Sequence, residues 1–236
     1  MQELFKVKCG IEELQTFFPK NIEKKVQALP GELPNLIRFL GKYSPYINRL
    51  ICSELQWLTG VIYSQVDKIL DQILKNCKKD IQKETFSSMR IAKRRTILVV
   101  CLADFGNLLN LSEVTNALSF FAEQILELVM DFHLFNEFQR LDYRPFFKNK
   151  ANYPKEILHS ARHSGLSSLG MGKLGSFELN YSSDIDLIFI FDEEKFKPEY
   201  YSKIRNAFVI VIRKIVKALS EVTSEGYVFR VDLRLR

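Results

Sequence analysis

Residues 170–191 read Gly-Met-Gly-Lys-Leu-Gly-Ser-Phe-Glu-Leu-Asn-Tyr-Ser-Ser-Asp-Ile-Asp-Leu-Ile-Phe-Ile-Phe. Gly170, Gly172 and Gly175 describe a tight turn, and the unbroken apolar run that ends at Phe191 describes a buried strand. Asp184 and Asp186 stand at the mouth of that strand. Alternate residues of a strand face the same side, roughly 7 Å apart. Two carboxylates so placed beside an apolar strand repel each other and are costly to desolvate. A hard cation with oxygen ligands relieves both costs, and protonation of one partner is the other remedy. The cation is the reading adopted.

Downstream, residues 198–220 carry helix spacing, with Ile204, Phe208, Val211, Ile212, Ile215 and Leu219 on one side. In the stretch Tyr227–Leu235, Phe229, Val231, Leu233 and Leu235 alternate with Arg230, Asp232, Arg234 and Arg236. That is a half-buried strand whose polar face mixes one carboxylate with arginines. A short strand around Leu166–Leu169 precedes the glycine turn, so the order is strand, turn, strand, helix, strand: a small α/β domain. If the two acidic strands are neighbours, Asp232 completes a triangle of carboxylates. Such a triangle can hold two magnesium ions about 4 Å apart for in-line phosphoryl or nucleotidyl displacement. Gly172 and Gly175 let backbone N–H groups approach phosphate oxygens, and Ser176 adds a hydroxyl. The turn is read as neither a Walker loop nor a dinucleotide fingerprint. Each piece has an ordinary reading: a solvated Asp-x-Asp, a plain glycine turn, a cross-strand ion pair between Asp232 and its flanking arginines. Their succession along one stretch favours the metal.

Before about Tyr143 the pattern is helical. Leu36, Ile37, Leu40 and Tyr43 have helix spacing after Pro34, and Leu55 to Ile73 reads as one further helix. Residues 87–105 form another, stopped by Gly106. Ser112 is the expected N-cap of the strongest helix, whose apolar face includes Val114, Leu118, Phe121, Ile125 and Val129. The segment from Tyr143 to Pro154, with two prolines and two asparagines, reads as a linker. The expected domains are a helical module over 1–143 and a catalytic core over 144–236.

The 236 residues, 47% hydrophobic and 26% charged, suit a folded protein with a sizeable core. No apolar run is long enough to span a bilayer, and Met1-Gln2-Glu3-Leu4 lacks a signal-peptide layout, so a cytoplasmic protein without membrane contact is expected. Cys9, Cys52, Cys77 and Cys101 form no CxxC pair and read as reduced, mostly packed thiols; with only three histidines, zinc has little support. The formal charge of +6 favours anionic partners. The densest basic stretch, Lys75, Lys78, Lys79, Lys83, Arg90, Lys93, Arg94 and Arg95, reads as a solvated helix surface. It lacks the aromatics of a nucleic-acid stacking platform, so nucleic acid is disfavoured.

The glycine turn, spacer and Asp-x-Asp resemble the signature of the DNA polymerase beta-type nucleotidyltransferase superfamily, with Gly175-Ser176 and Asp184-Ile185-Asp186 as its two parts. Gly172 through Phe189 closely resembles the catalytic motif of the glutamine synthetase adenylyltransferases, and Arg230-Val-Asp-Leu-Arg-Leu-Arg236 resembles their third-carboxylate strand. The stretch from Arg94-Arg95 to Ala117-Leu118-Ser119 resembles the region before their first catalytic domain, so the likeness runs from about residue 30 onward. It implies an α+β chain: a helical module, then a polymerase-beta-like nucleotidyltransferase domain, apparently truncated at its C-terminus. It further implies catalytic and magnesium-ligating roles for Asp184, Asp186 and Asp232. Nucleotide contacts would come from Gly172, Lys173, Gly175, Ser176, Ser183 and Arg234. Glutamine synthetase would be the protein substrate, with adenine nucleotide and phosphate as the small ones. The position and the wording Glu178-Leu-Asn-Tyr-Ser-Ser-Asp-Ile-Asp186 resemble the half of the family that removes AMP by phosphorolysis, not the half that attaches it. A remnant that binds nucleotide or protein without turnover is the alternative, and a nucleic-acid nucleotidyltransferase a third.

Overall fold

The computed structural model describes residues 2–11, 18–81, 86–157 and 159–233. The helices are α1 (Lys20–Gln27), α2 (Leu33–Tyr43), α3 (Pro45–Val61), α4 (Val66–Ile81), α5 (Ser87–Phe105), α6 (Leu111–Leu141), α7 (Ser160–Ser164), α8 (Gly172–Gly175) and α9 (Tyr201–Ser220). The strands are β1 (Leu166–Met171), β2 (Ile185–Phe191) and β3 (Val231–Leu233). A helix-rich chain carrying one small mixed sheet agrees with the expected α+β class. No helix among the described residues is long and apolar enough to cross a membrane.

The chain divides into two compact units, 1–76 with 91–118, and 77–90 with 119–236, the boundaries falling inside α4, α5 and α6. In the first unit, Leu36, Ile37 and Leu40 of α2 are buried as their spacing predicts, while Tyr43 at the helix end is exposed. The helix expected over 55–73 is two helices. Residues 62–65 break it, and the backbone N–H groups of Leu4 and Phe5 donate to the Ser64 and Ile62 carbonyls freed there. The cap of α6 is Asn110 and not Ser112. Asn110 Oδ1 accepts from the Glu113 N–H at 3.0 Å while Glu113 Oε2 accepts from the Asn110 N–H at 2.8 Å, a reciprocal capping box. Glu54, 4% exposed, is a buried carboxylate held by Arg94 and Arg95 at 2.9 and 2.8 Å. The basic stretch is therefore only partly a solvated face.

The second unit corrects two further expectations. Arg90 is buried and donates from Nε to the Gly226 carbonyl and from Nη2 to that of Glu221. The segment read as a linker is packed: Tyr143, Phe147 and Tyr153 are buried, and the Tyr143 and Phe147 rings stand edge-on to Phe138 of α6. The Tyr153 hydroxyl donates to the Phe138 carbonyl at 2.9 Å. Phe196 and Phe208 complete this aromatic cluster. The cysteines are all free; burial pushes Cys77 up to about 11 and Cys101 up to about 12, whereas Cys52 is exposed.

The sheet order is β1-β2-β3, with β1 antiparallel and β3 parallel to β2. Parallel neighbours need a crossover, and α9 supplies it. Its Ile204, Phe208, Val211, Ile215 and Leu219 are buried, and the Leu219 carbonyl accepts from the N–H groups of Val228 and Phe229 on the approach to β3.

Glu137, fully buried on α6, accepts hydrogen bonds from Arg140 and Lys214 at 2.8 and 2.9 Å. Burial by itself raises its carboxyl, but the two cations outweigh that and hold it below its ordinary value of 4.5. A depressed carboxyl contributes stability that is present above the unfolded-state pKa and lost as pH falls through the folded one. Glu137→Gln is expected to lower stability at pH 7 by about 1–3 kcal/mol. It should also shrink the acid loss of stability below the ordinary glutamate range, so urea unfolding curves of the two proteins converge from pH 7 to pH 3.

Candidate active site

The Asp184–Asp186 motif opens β2, which is paired on both sides. Ile185 and Leu187 are 0% and 1% exposed, and the strand's alternation turns Asp186 to the opposite face. The parallel register sets Ile185 beside Val231, Asp186 beside Asp232 and Leu187 beside Leu233. Asp232 thus lies across from Asp186 on the same face, the neighbour relation that the sequence required for a third carboxylate.

The glycine turn reaches the same place from the other side. The antiparallel register pairs Met171 with Asp186, and Gly172 follows with φ +54°. A β-carbon on Gly172 would stand 2.9 Å from Asp186 Oδ2, so the bare α-carbon is what admits the carboxylate. A β-carbon on Gly175 would stand 2.5 Å from the Gly170 carbonyl oxygen, which fixes the tightness of the turn. The three glycines do meet Gly-x-Gly-x-x-Gly spacing. The antiparallel β1–β2 pair and the four-residue α8 nevertheless exclude the parallel βαβ unit in which that spacing binds dinucleotides.

The other expected site residues are spread around this centre. Lys173 is exposed on α8. The Ser176 hydroxyl is turned back on its own segment, within 3.2 Å of the Gly172 carbonyl and of Glu178 Oε2. Ser183 donates to Asn180 Oδ1 at 2.7 Å and closes the turn before β2. That turn is tied to α6 where the Leu179 N–H donates to Ser119 Oγ at 3.1 Å, a buried anchor that no sequence signal marked. Arg234 lies outside the described residues.

Asp184 faces a basic partner: Arg230 Nε donates to Asp184 Oδ1 at 2.5 Å, and Arg230 Nη2 to the Ser182 carbonyl at 3.3 Å. The ordinary alternative, Asp232 paired with its flanking arginines, does not hold for Arg230, whose partner is Asp184. Asp184, Asp186 and Asp232 are not gathered as tightly as Glu127, Asp131 and His159, the one trio among the described residues whose potential ligand atoms all lie within 4.8 Å of one another. In that trio, however, the Asp131 oxygens accept from the backbone N–H groups of His159 and Ala161, each at 2.8 Å, and hold the start of α7. Glu127 faces Arg162 at 3.3 Å. Its geometry is that of a helix anchor. The aspartates of β2 and β3 present what a hard divalent cation takes: carboxylate oxygens at a solvent-accessible strand mouth, one of them against a glycine. The residues present fit such an ion.

Residues 58–236 match the model of the glutamate-ammonia ligase adenylyltransferase family. A bifunctional glutamine synthetase adenylyltransferase/adenylyl-removing enzyme of Agrobacterium fabrum is 33% identical over 220 residues, covering 88% of this chain and 21% of that protein. The enzyme of the same name from Rhizobium meliloti is 37% identical over 153 residues, 65% of this chain and 15% of that protein. That from Bartonella henselae is 29% identical over 225 residues, 92% of this chain and 22% of that protein. The chain spans about a fifth of the length of the curated relatives it matches.

The Gly172 geometry has a direct check. Gly172→Ala is expected to cost about 1 kcal/mol or more, because both the positive φ and the carboxylate oppose a β-carbon. Gly60→Ala on α3, with no atom within 4 Å of the added carbon, is expected to leave stability unchanged or raise it by about 0.5–1 kcal/mol. Thermal unfolding should fall for Gly172→Ala and should not fall for Gly60→Ala.

Proposed function

The chain belongs to the glutamate-ammonia ligase adenylyltransferase family, and we propose that its sheet-bearing part is a magnesium-dependent nucleotidyltransferase core of the adenylyl-removing type. The observation that carries this reading is the register that sets Asp186 beside Asp232 with Gly172 bare against the Asp186 carboxylate. In the reaction proposed, an oxygen of inorganic phosphate attacks the phosphorus of an AMP group esterified to a tyrosine of glutamine synthetase. The bond from phosphorus to the tyrosine oxygen breaks, ADP leaves, and the tyrosine regains a proton.

Asp184, Asp186 and Asp232 would hold the magnesium, which when bound supplies positive charge to the phosphoryl oxygens. The chain's own residues do the rest of the positioning. Backbone around Gly172 and Gly175 lets phosphate oxygens come close where side chains would bar them. Lys173 offers a mobile cation beside the turn; Ser176, Ser183 and Arg234 are the remaining proposed nucleotide contacts. The wording of residues 178–186 supports the removing direction over attachment of AMP from ATP. Glutamine synthetase as partner and a cytoplasmic setting belong to the same proposal.

Purified chain given adenylylated glutamine synthetase, phosphate and magnesium is expected to release ADP. Asp186→Asn should lower the rate by about 100-fold or more while leaving the fold intact by circular dichroism. No release, even with the remaining part of a relative's enzyme added in trans, would contradict the proposal.

A further inference from the structure

The ion pair at the mouth of β2 carries a consequence for cation binding. Asp184 and Arg230 each stand one residue before a strand, and those strands are parallel neighbours, joined there by a hydrogen bond from the Ile185 N–H to the Arg230 carbonyl at 3.0 Å. The register therefore places the guanidinium beside Asp184 as surely as it places Asp232 beside Asp186. Arg230 grips two points of the mouth, the Asp184 carboxylate and the Ser182 carbonyl.

We propose that Arg230 is a positioning residue that competes with the divalent cation for Asp184 and thereby sets the affinity of the site. The proposal rests on the reading of Asp184, Asp186 and Asp232 as cation ligands. Arg230 supplies a positive charge at the carboxylate that the ion must claim. At Asp184 Oδ1 the ion displaces the guanidinium, and at Oδ2 it binds against the charge of the guanidinium on the neighbouring oxygen. The lock is a weak one. The Arg230 and Asp184 side chains are 61% and 51% exposed, and exposed ion pairs are readily exchanged. Arg230 therefore lowers cation affinity without abolishing it, and it neutralises part of the Asp184, Asp186 and Asp232 cluster before the ion arrives. A purely bracing arginine makes the opposite demand: it would hold Asp184 in place for the ion, and its removal would weaken binding.

Manganese binding to the full chain, read from the paramagnetic resonance signal of free Mn2+ at low ionic strength, separates the two. The set is the wild type, Arg230→Gln, Arg230→Lys and Asp186→Asn. Arg230→Gln is expected to bind Mn2+ about three- to tenfold more tightly than wild type. Arg230→Lys, which keeps the charge but not the two-point fork, should fall between, and Asp186→Asn should weaken binding. Equal or weaker binding by Arg230→Gln, in a wild type whose binding depends on Asp186, overturns the competitor role and leaves the metal reading standing. Absence of Asp186-dependent binding in both wild type and Arg230→Gln overturns the metal reading and this proposal with it. Both Arg230 variants change an exposed side chain, so their circular dichroism should match wild type.

Discussion

The parallel pairing of β2 with β3 is the interaction on which the site depends. It brings together residues 46 apart in sequence, Asp186 and Asp232, and it sets Arg230 against Asp184. A slip of one residue would carry Asp232 to the buried face and an apolar neighbour to the mouth, since strand side chains alternate. The pairing is held by what lies beneath and between. Ile185 and Leu187 are sealed on the buried face, and α9 forms the crossover with its apolar stripe buried. The Leu219 carbonyl receives the chain as it leaves that helix, and Phe229 packs against Phe121 of α6.

The glycine turn meets this pair under a second constraint. The β1–β2 hairpin delivers Gly172 to Asp186, where φ +54° would strain a side chain and a β-carbon would crowd the carboxylate oxygen. The loop that follows is not left to itself: Ser119 fixes Leu179, and Asn180 with Ser183 closes the turn into β2. The glycine turn, the aspartates proposed as cation ligands and an arginine bound to one of them therefore occupy one end of the sheet, at the mouth of its central strand. That combination is suited to moving a phosphoryl group and would serve a merely structural hairpin poorly.

Much of this was legible in residues 170–191 and 227–235, because strand alternation and the needs of paired carboxylates are local rules. Alternation placed Phe229, Val231 and Leu233 inward and Asp232 outward; Phe229 is buried, Val231 and Leu233 are partly covered and Asp232 is exposed, while Val228 is buried against the alternation. What escaped the sequence depended on distant partners. The break at 62–65 is made good by carbonyls bonding to Leu4 and Phe5, and no local pattern announces that. The segment from Tyr143 to Pro154 has a linker's prolines and asparagines, but its tyrosines and Phe147 find aromatic partners in Phe138 of α6 and in one another. Asn110 and Ser112 are both good capping types, and the choice fell to the one with Glu113 three residues ahead. Arg230 could have paired with either of two aspartates; only the strand register decides for Asp184.

The central claim, that the aspartates of β2 and β3 bind a divalent cation beside the glycine turn, is tested most directly by paramagnetic broadening. Substoichiometric Mn2+ added to the 15N-labelled chain should broaden first the backbone amides of Gly172, Ile185, Asp186 and Asp232. Broadening centred instead on Glu127, Asp131 and His159, or none that is specific, would contradict it.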